Sequence, residues 1–270
     1  MSRIAEQFAR LKQDGGKGFI PFVTAGDPDL QTSLEIVLKL AELGATVIEL
    51  GVPFSDPMAD GPTIQLSSQR ALESGTNLAQ IFELVAKARQ KTDVPIVLFS
   101  YFNPLLQFGL ENLAAEAARV GVDGVLITDV IDDEAKKISD LLRKKNLDLI
   151  SLIAPTTSDE RIGKIAGVSN GFIYAVSRAG VTGARADTSS QAANLVSRAR
   201  KFTDLPVAVG FGISTREQIE DVWHYADAAV VGSAIVAEIE KSRTAGDTVI
   251  KVSAFVSTLL PQFAKGPEGL

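Results

Sequence analysis

Two acids in one stretch of the chain could carry proton chemistry. Glu49 stands at the end of the apolar run Thr46-Val47-Ile48-Glu49-Leu50, and Asp60 lies in the loop that follows, Gly51-Val52-Pro53-Phe54-Ser55-Asp56-Pro57-Met58-Ala59-Asp60-Gly61-Pro62. If the run is a strand, period-two alternation sets Glu49 on the face of Val47. A carboxylate at an apolar strand end is costly to keep charged, so its pKa should rise into the range that suits a general acid or base near neutrality. The competing reading is a strand-end glutamate paired with a lysine or arginine. The loop is long for a strand-to-helix connection and stiffened by prolines, a combination found at functional loops. Pro62 suits the first turn of a helix. Asp60 therefore reads either as a second acid, holding a donor while Glu49 moves protons, or as a helix cap. Asp56, between Ser55 and Pro57, also fits a turn.

Three later loops place glycines where backbone N–H groups could meet an anion: Ala179-Gly180-Val181-Thr182-Gly183, Gly210-Phe211-Gly212-Ile213-Ser214 and Gly232-Ser233. Each alone is also what a strand-to-helix turn wants. Together, at successive strand ends, they predict a phosphate site helped by a helix N-terminus. Phe22, Phe99, Leu126, Ile153, Tyr174 and Phe211 fall at other strand ends. Singly each reads as core; collectively they would suit a flat aromatic ligand. Tyr174 adds a hydroxyl at the edge.

Composition excludes much else. The chain has 270 residues, no cysteine and one histidine, His224. Thiolate nucleophiles, disulfides, cysteine-ligated metals and multi-histidine metal sites are excluded. His224, late on a predicted helix, reads as structural or exposed. A net charge of −6 and a pI near 5.0 argue against a nucleic-acid partner. No apolar run approaches the roughly 20 residues that span a bilayer, and the first residues lack a signal-peptide core. The cytoplasm is the expectation, with a processed organellar form left open.

The elements that must hold these residues alternate regularly. Candidate strands are Gly18–Thr24, Thr46–Leu50, Val94–Phe99, Gly124–Thr128, Asp148–Ile153, Gly171–Val176, Pro206–Gly210 and Ala228–Val231, separated by helical patterns such as Ile81, Leu84, Val85 and Ala88. The strands are near-continuous apolar runs, as in a parallel sheet covered on both faces. Thr32 with Glu35, and Ser214 with Glu217, have capping-box spacing. Eight such repeats without a linker predict an α/β fold, one (β/α)8 barrel over residues 1–270, rather than an open doubly wound sheet. Ile4, Phe8 and Leu11 share a helical face that would cap the barrel bottom, and a last helix is expected around Val249–Leu260.

The stretch from Ile48 to Gln65 resembles the signature of the tryptophan synthase alpha chain family. Thr24-Ala25-Gly26-Asp27-Pro28, Tyr174 to Gly183, Gly210-Phe211-Gly212-Ile213 and Val231 to Val236 continue that pattern in order over essentially the whole chain. The resemblance implies retro-aldol cleavage of indole-3-glycerol phosphate to indole and glyceraldehyde 3-phosphate, with no metal and no cofactor in this chain. It implies Glu49 as acid/base, Asp60 as acceptor of the indole N–H, and Tyr174 among the catalytic set. Phosphate would rest on Thr182, Gly183, Gly212, Gly232 and Ser233, and the ring among Phe22, Phe99, Leu126, Ile153 and Phe211. A pyridoxal-phosphate-dependent beta chain is the implied partner in an alpha2beta2 assembly, facing Pro53, Asp56, Asn103 and Pro104, and the loop from Ser177 to Gln191 is the implied lid. A stand-alone lyase of the same family, and a silent phosphate-binding barrel that regulates a partner, are the alternatives. Both acids count against the latter. The chain departs from the family's usual proline after Asp129-Val130, where it has Ile131.

Overall fold

The computed structural model describes residues 2–176, 185–210, 212–242 and 244–260, with backbone only for 185–188. In chain order the elements are α1 Arg3–Gln13, β1 Gly18–Thr24, α2 Leu30–Glu42, β2 Ile48–Gly51, α3 Pro62–Glu73, α4 Leu78–Arg89, β3 Ile96–Ser100, α5 Phe102–Phe108, α6 Leu110–Val120 and β4 Gly124–Ile127. They continue as α7 Asp132–Arg143, β5 Asp148–Ile153, α8 Asp159–Val168, β6 Ile173–Val176, α9 Arg185–Ala199, β7 Val207–Gly210, α10 Arg216–Trp223, β8 Ala228–Val231, α11 Ser233–Glu240 and α12 Ala245–Leu259. The eight strands run parallel, each beside the next, and β8 pairs with β1 to close a barrel. None of the described helices is long and apolar enough to cross a membrane.

Strand alternation sorts the apolar residues into two cores. Ile20, Val47, Val97, Leu126, Ile150, Phe172, Ala208 and Val230 fill the barrel interior. Their chain neighbours Phe19, Ile48, Leu98, Val125, Leu149, Ile173, Val209 and Val231 face the helices. Because both faces are apolar, the strands lack the hydrophobic-polar alternation of a half-exposed sheet.

The floor is closed by α1. Ile4 and Phe8 insert into the inner core, with Leu11 packed beside them, and the Phe8 and Phe172 rings lie 5.8 Å apart. Burying each such side chain contributes about 1.5–3 kcal/mol. Polar contacts fix the helix on that plug. Ser2 Oγ donates to Asp148, and Arg3 donates to Asp123 at 2.8 Å, whose other oxygen takes Arg89 and the Ile96 N–H.

Two helix starts differ from expectation, and a third bears the mark of Ile131. Asp29, not Thr32, caps α2, accepting from the Thr32 N–H at 2.8 Å, while the Thr32 hydroxyl donates to the same carboxylate. At α10 the capping box is Thr215 with Gln218, one residue beyond the predicted pair. An aspartate earlier in the chain satisfies the orphan N–H of α2 just as well, so Thr32 is released to serve as a helical residue. At α7, Ile131 occupies the cap position and makes no side-chain cap bond. Asp132 adopts φ 51°, a left-handed conformation that costs a residue other than glycine about 1–2 kcal/mol.

Candidate active site

The strand ends open onto a cavity of about 560 Å³ whose walls come from β1, β2, β3, β5, β6 and β8 and the connections beyond them. Phe22 and Phe99 meet edge to face across it, centroids 5.3 Å apart at 78°. Leu152, Tyr174, Ile64 and Val176 continue the apolar wall. Two glycines make room for the rings. A Cβ on Gly51 would lie 2.6 Å from Phe22 Cζ, and one on Gly210 would lie 2.3 Å from Tyr174 Oη.

Glu49 sits at the inner end. Its register neighbours are Phe22 on β1 and Val97 on β3, so the carboxyl enters a space shaped by aromatic and aliphatic groups. It is fully buried, and neither oxygen has a hydrogen-bond partner among the described residues. The alternative of a strand-end ion pair therefore does not hold among them. Burial alone pushes Glu49 from the ordinary 4.5 up to about 8, because the charged form loses its hydration and gains nothing in return. Tyr174 also lines this space, and its phenol is raised well above 10, first by burial and then by the charge of Glu49. It remains a neutral O–H donor at physiological pH.

Asp60 enters from the mouth side. Gly61 is the cap of α3 and Pro62 its first residue, with no side-chain cap bond, so Asp60 is free of the capping role its position suggested. Its carboxyl lines the cavity. Burial raises it to about 6, while a hydrogen bond from the Tyr101 hydroxyl pulls it part of the way back. Tyr101 Oη also accepts from the Ala59 N–H at 2.9 Å, and its ring tilts against Phe54, 5.3 Å away. Gln65, one turn into α3, donates to the Asp60 carbonyl at 2.9 Å. The loop is thus tied on both sides of the acid.

The far end of the cavity is formed by Gly212, Ser214, Gly232, Ser233 and Ala234. Gly212 adopts φ +71°, a turn conformation open to glycine. Gly232 and Ser233 begin α11, so unpaired first-turn N–H groups and the positive end of the helix dipole favour an anion there. Among the described residues no group of three His, Cys, Asp or Glu side chains comes together to hold a metal ion.

The cavity gathers Phe22, Glu49, Asp60, Phe99, Tyr174, Gly212, Gly232 and Ser233. Two expected ring contacts are not among its walls. Ile153 points outward into the helix-facing core, and Leu152, its neighbour on the inner face, takes the place. Leu126 is enclosed within the inner core, and Thr128, two residues on, reaches the cavity instead. Thr182, Gly183 and Phe211 lie outside the described residues, as does most of the expected lid. Of the partner-facing set, Asp56 and Asn103 are exposed, Pro104 is half-buried and Pro53 is buried. His224 is exposed at the end of α10, as read. Sequence reasoning missed Tyr101, although it stands two residues beyond Phe99 and shares its strand parity.

Comparison with known proteins sets this geometry in a lineage. The family described as "Tryptophan synthase alpha chain" matches residues 8–262. The tryptophan synthase alpha chain of Citrifermentans bemidjiense is 51% identical over 266 residues, 98% of this chain and 99% of that one. The crystal structure of tryptophan synthase subunit alpha from Legionella pneumophila superposes with a TM-score of 0.89 at 34% identity, covering 96% of this chain and 97% of that one. A chain from the crystal structure of the tryptophan synthase complex of Pyrococcus furiosus superposes at 0.81 with 39% identity, covering 90% and 97%. Matched over nearly its whole length in sequence and in fold, the chain belongs to the tryptophan synthase alpha chain family.

Proposed function

We propose that Glu49 and Asp60 divide the work of this chain's lyase reaction, the retro-aldol cleavage of indole-3-glycerol phosphate to indole and glyceraldehyde 3-phosphate. The observation that carries the assignment is the unpartnered, buried carboxyl of Glu49 at one end of an aromatic cavity whose other end is a helix N-terminus. With a pKa of about 8, Glu49 holds its proton at neutral pH and can deliver it to the weakly basic C3 of the indole ring. Positive charge then develops toward the ring nitrogen. Asp60, near 6, is ionised at the same pH and accepts the N–H, stabilising the charged state more than the ground state. The Glu49 carboxylate next takes the proton of the side-chain hydroxyl nearest the ring. The C–C bond breaks, its electrons return to the ring as indole, and the aldehyde forms. Glu49 ends protonated, ready for another turn. Tyr174 offers a neutral hydroxyl beside it, and the start of α11 with Gly212 holds the phosphate.

These steps are proton transfers and one bond cleavage, for which side chains suffice without metal or organic cofactor. Pyridoxal phosphate belongs to the beta chain expected as partner in an alpha2beta2 assembly. Support for a docking face at the mouth comes from exposed apolar side chains in the segments that follow three successive strands: Met58 between β2 and α3 at 91% exposure, Leu106 on α5 at 49% and Ile131 between β4 and α7 at 56%. Indole release by the isolated chain, measured with and without a beta chain, tests the reading. Strong stimulation is expected, and full activity alone would make the chain a stand-alone lyase. Glu49→Gln should lower turnover by about 10²–10⁴-fold and leave binding of the phosphorylated substrate intact. Near-normal turnover would remove Glu49 from the mechanism.

A further inference from the structure

Away from the cavity, the chain encloses a second carboxylate, Asp27, in the connection after β1. Its two oxygens take Arg70 Nε and Nη2, each at 2.8 Å, in a two-pronged pair; the Asp27 side chain is fully enclosed and that of Arg70 is 30% exposed. The remaining guanidinium nitrogen reaches toward Glu240, 3.8 Å away. A buried pair of this kind contributes little net stability against hydrophobic replacement, because desolvation of both ions offsets their attraction. Its fork geometry nevertheless fixes direction as well as distance.

What it fixes is the relation of three elements. Arg70 lies on α3, and the first turn of α3 holds the Asp60 carbonyl through Gln65. Glu240 is the last residue of α11, whose first turn is the anion end of the cavity. Asp27 belongs to a connection that is itself clasped to the end of α3. The Ser74 hydroxyl donates to the Gly26 carbonyl at 3.3 Å, and a Cβ on Gly26 would stand 1.9 Å from Thr76 Oγ1. One guanidinium therefore ties the helix that follows Asp60, and holds its carbonyl through Gln65, to both the β1 connection and the helix that receives phosphate.

We infer that Arg70 is a positioning residue for the reaction, setting through Asp27 and Glu240 the place of α3, and hence of Asp60, against the anion-binding start of α11. The inference rests on the role proposed above for Asp60. Displacing a catalytic group by a fraction of an ångström to an ångström is costly in rate, so Arg70→Ala should lower kcat about tenfold or more. The inhibition constant of inorganic phosphate, which does not depend on Asp60, should stay within about threefold. Arg70→Lys, which keeps the charge but not the fork, should recover part of the loss and serves the same comparison if the alanine variant fails to fold. The decisive arm is the double variant. In an Asp60→Asn background, Arg70→Ala should add less than about twofold, because a residue acting through Asp60 has nothing further to misplace. A fall in Tm with kcat unchanged, or a full additive loss in the double variant, would reduce Arg70 to a structural residue. Near-normal kcat in Asp60→Asn alone would instead overturn the reading of Asp60, and the inference with it.

Discussion

Glu49→Gln should change the way stability depends on pH, apart from its effect on turnover. In the folded chain the carboxyl is pushed from 4.5 to about 8 by burial alone. Between those values the unfolded chain has lost the proton and the folded chain still holds it. The unfolded state binds fewer protons there, so stability must fall as pH rises through this window and level off above it. At about 1.4 kcal/mol for each tenfold in acidity, the fall amounts to as much as 4–5 kcal/mol, on the order of a third or more of a domain's net stability. Glutamine occupies nearly the same volume and does not titrate. Urea unfolding of wild type and Glu49→Gln, measured at intervals from pH 5 to 9, isolates the effect, because every other group cancels in the difference. The variant should gain on wild type steadily with pH and finish several kcal/mol ahead of its relative position at pH 5. Parallel curves, differing by a constant within about 1 kcal/mol, would mean that the carboxyl is hydrated or paired in the native state. The physical basis for its role as the acid would then be gone.

Two further outcomes follow from the same cavity. The pH profile of kcat/KM should be bell-shaped, falling below about 6 as Asp60 takes up a proton and above about 8 as Glu49 loses one. Tyr101→Phe removes a hydrogen bond that favours the Asp60 carboxylate, so its acid limb should move to higher pH, and an unmoved limb would sever that link. Leu152→Ala should raise KM for the substrate with a modest loss of stability, whereas Ile153→Ala should cost about 2–5 kcal/mol of stability and leave KM unchanged. The reverse pattern in paired KM and denaturation measurements would mean that the strand register is misassigned.

Much of this arrangement is legible in the sequence because strands and helices obey different periods. The bounds of Gly18–Thr24, Asp148–Ile153 and Ala228–Val231 follow directly from their apolar runs. Glu49 stands out because a lone charge in such a run marks its own face. The same logic fails at Leu152 and Ile153, where three apolar residues in succession, Leu152 and Ile153 after Ser151 with Ala154 beyond, carry no polar marker of which side is inward. Thr128 and Leu126 differ from one another only in depth along one face, which periodicity does not encode. Tyr101 and Arg70 act through partners 41 and 43 residues earlier in the chain, distances that only the closed barrel brings to contact. The caps at Asp29 and Thr215 show a further limit: several neighbouring polar residues satisfy the same rule, and the backbone selects among them.

The plug that α1 forms under the barrel has a bearing on traffic. With Ile4, Phe8 and Phe172 sealing one end, the described residues leave a neutral bicyclic product freed beside Glu49 the rim as its way out. Whatever docks on that rim stands in its path. The start of α1 lies on the opposite side, so a carrier fused ahead of it would leave the doorway unobstructed.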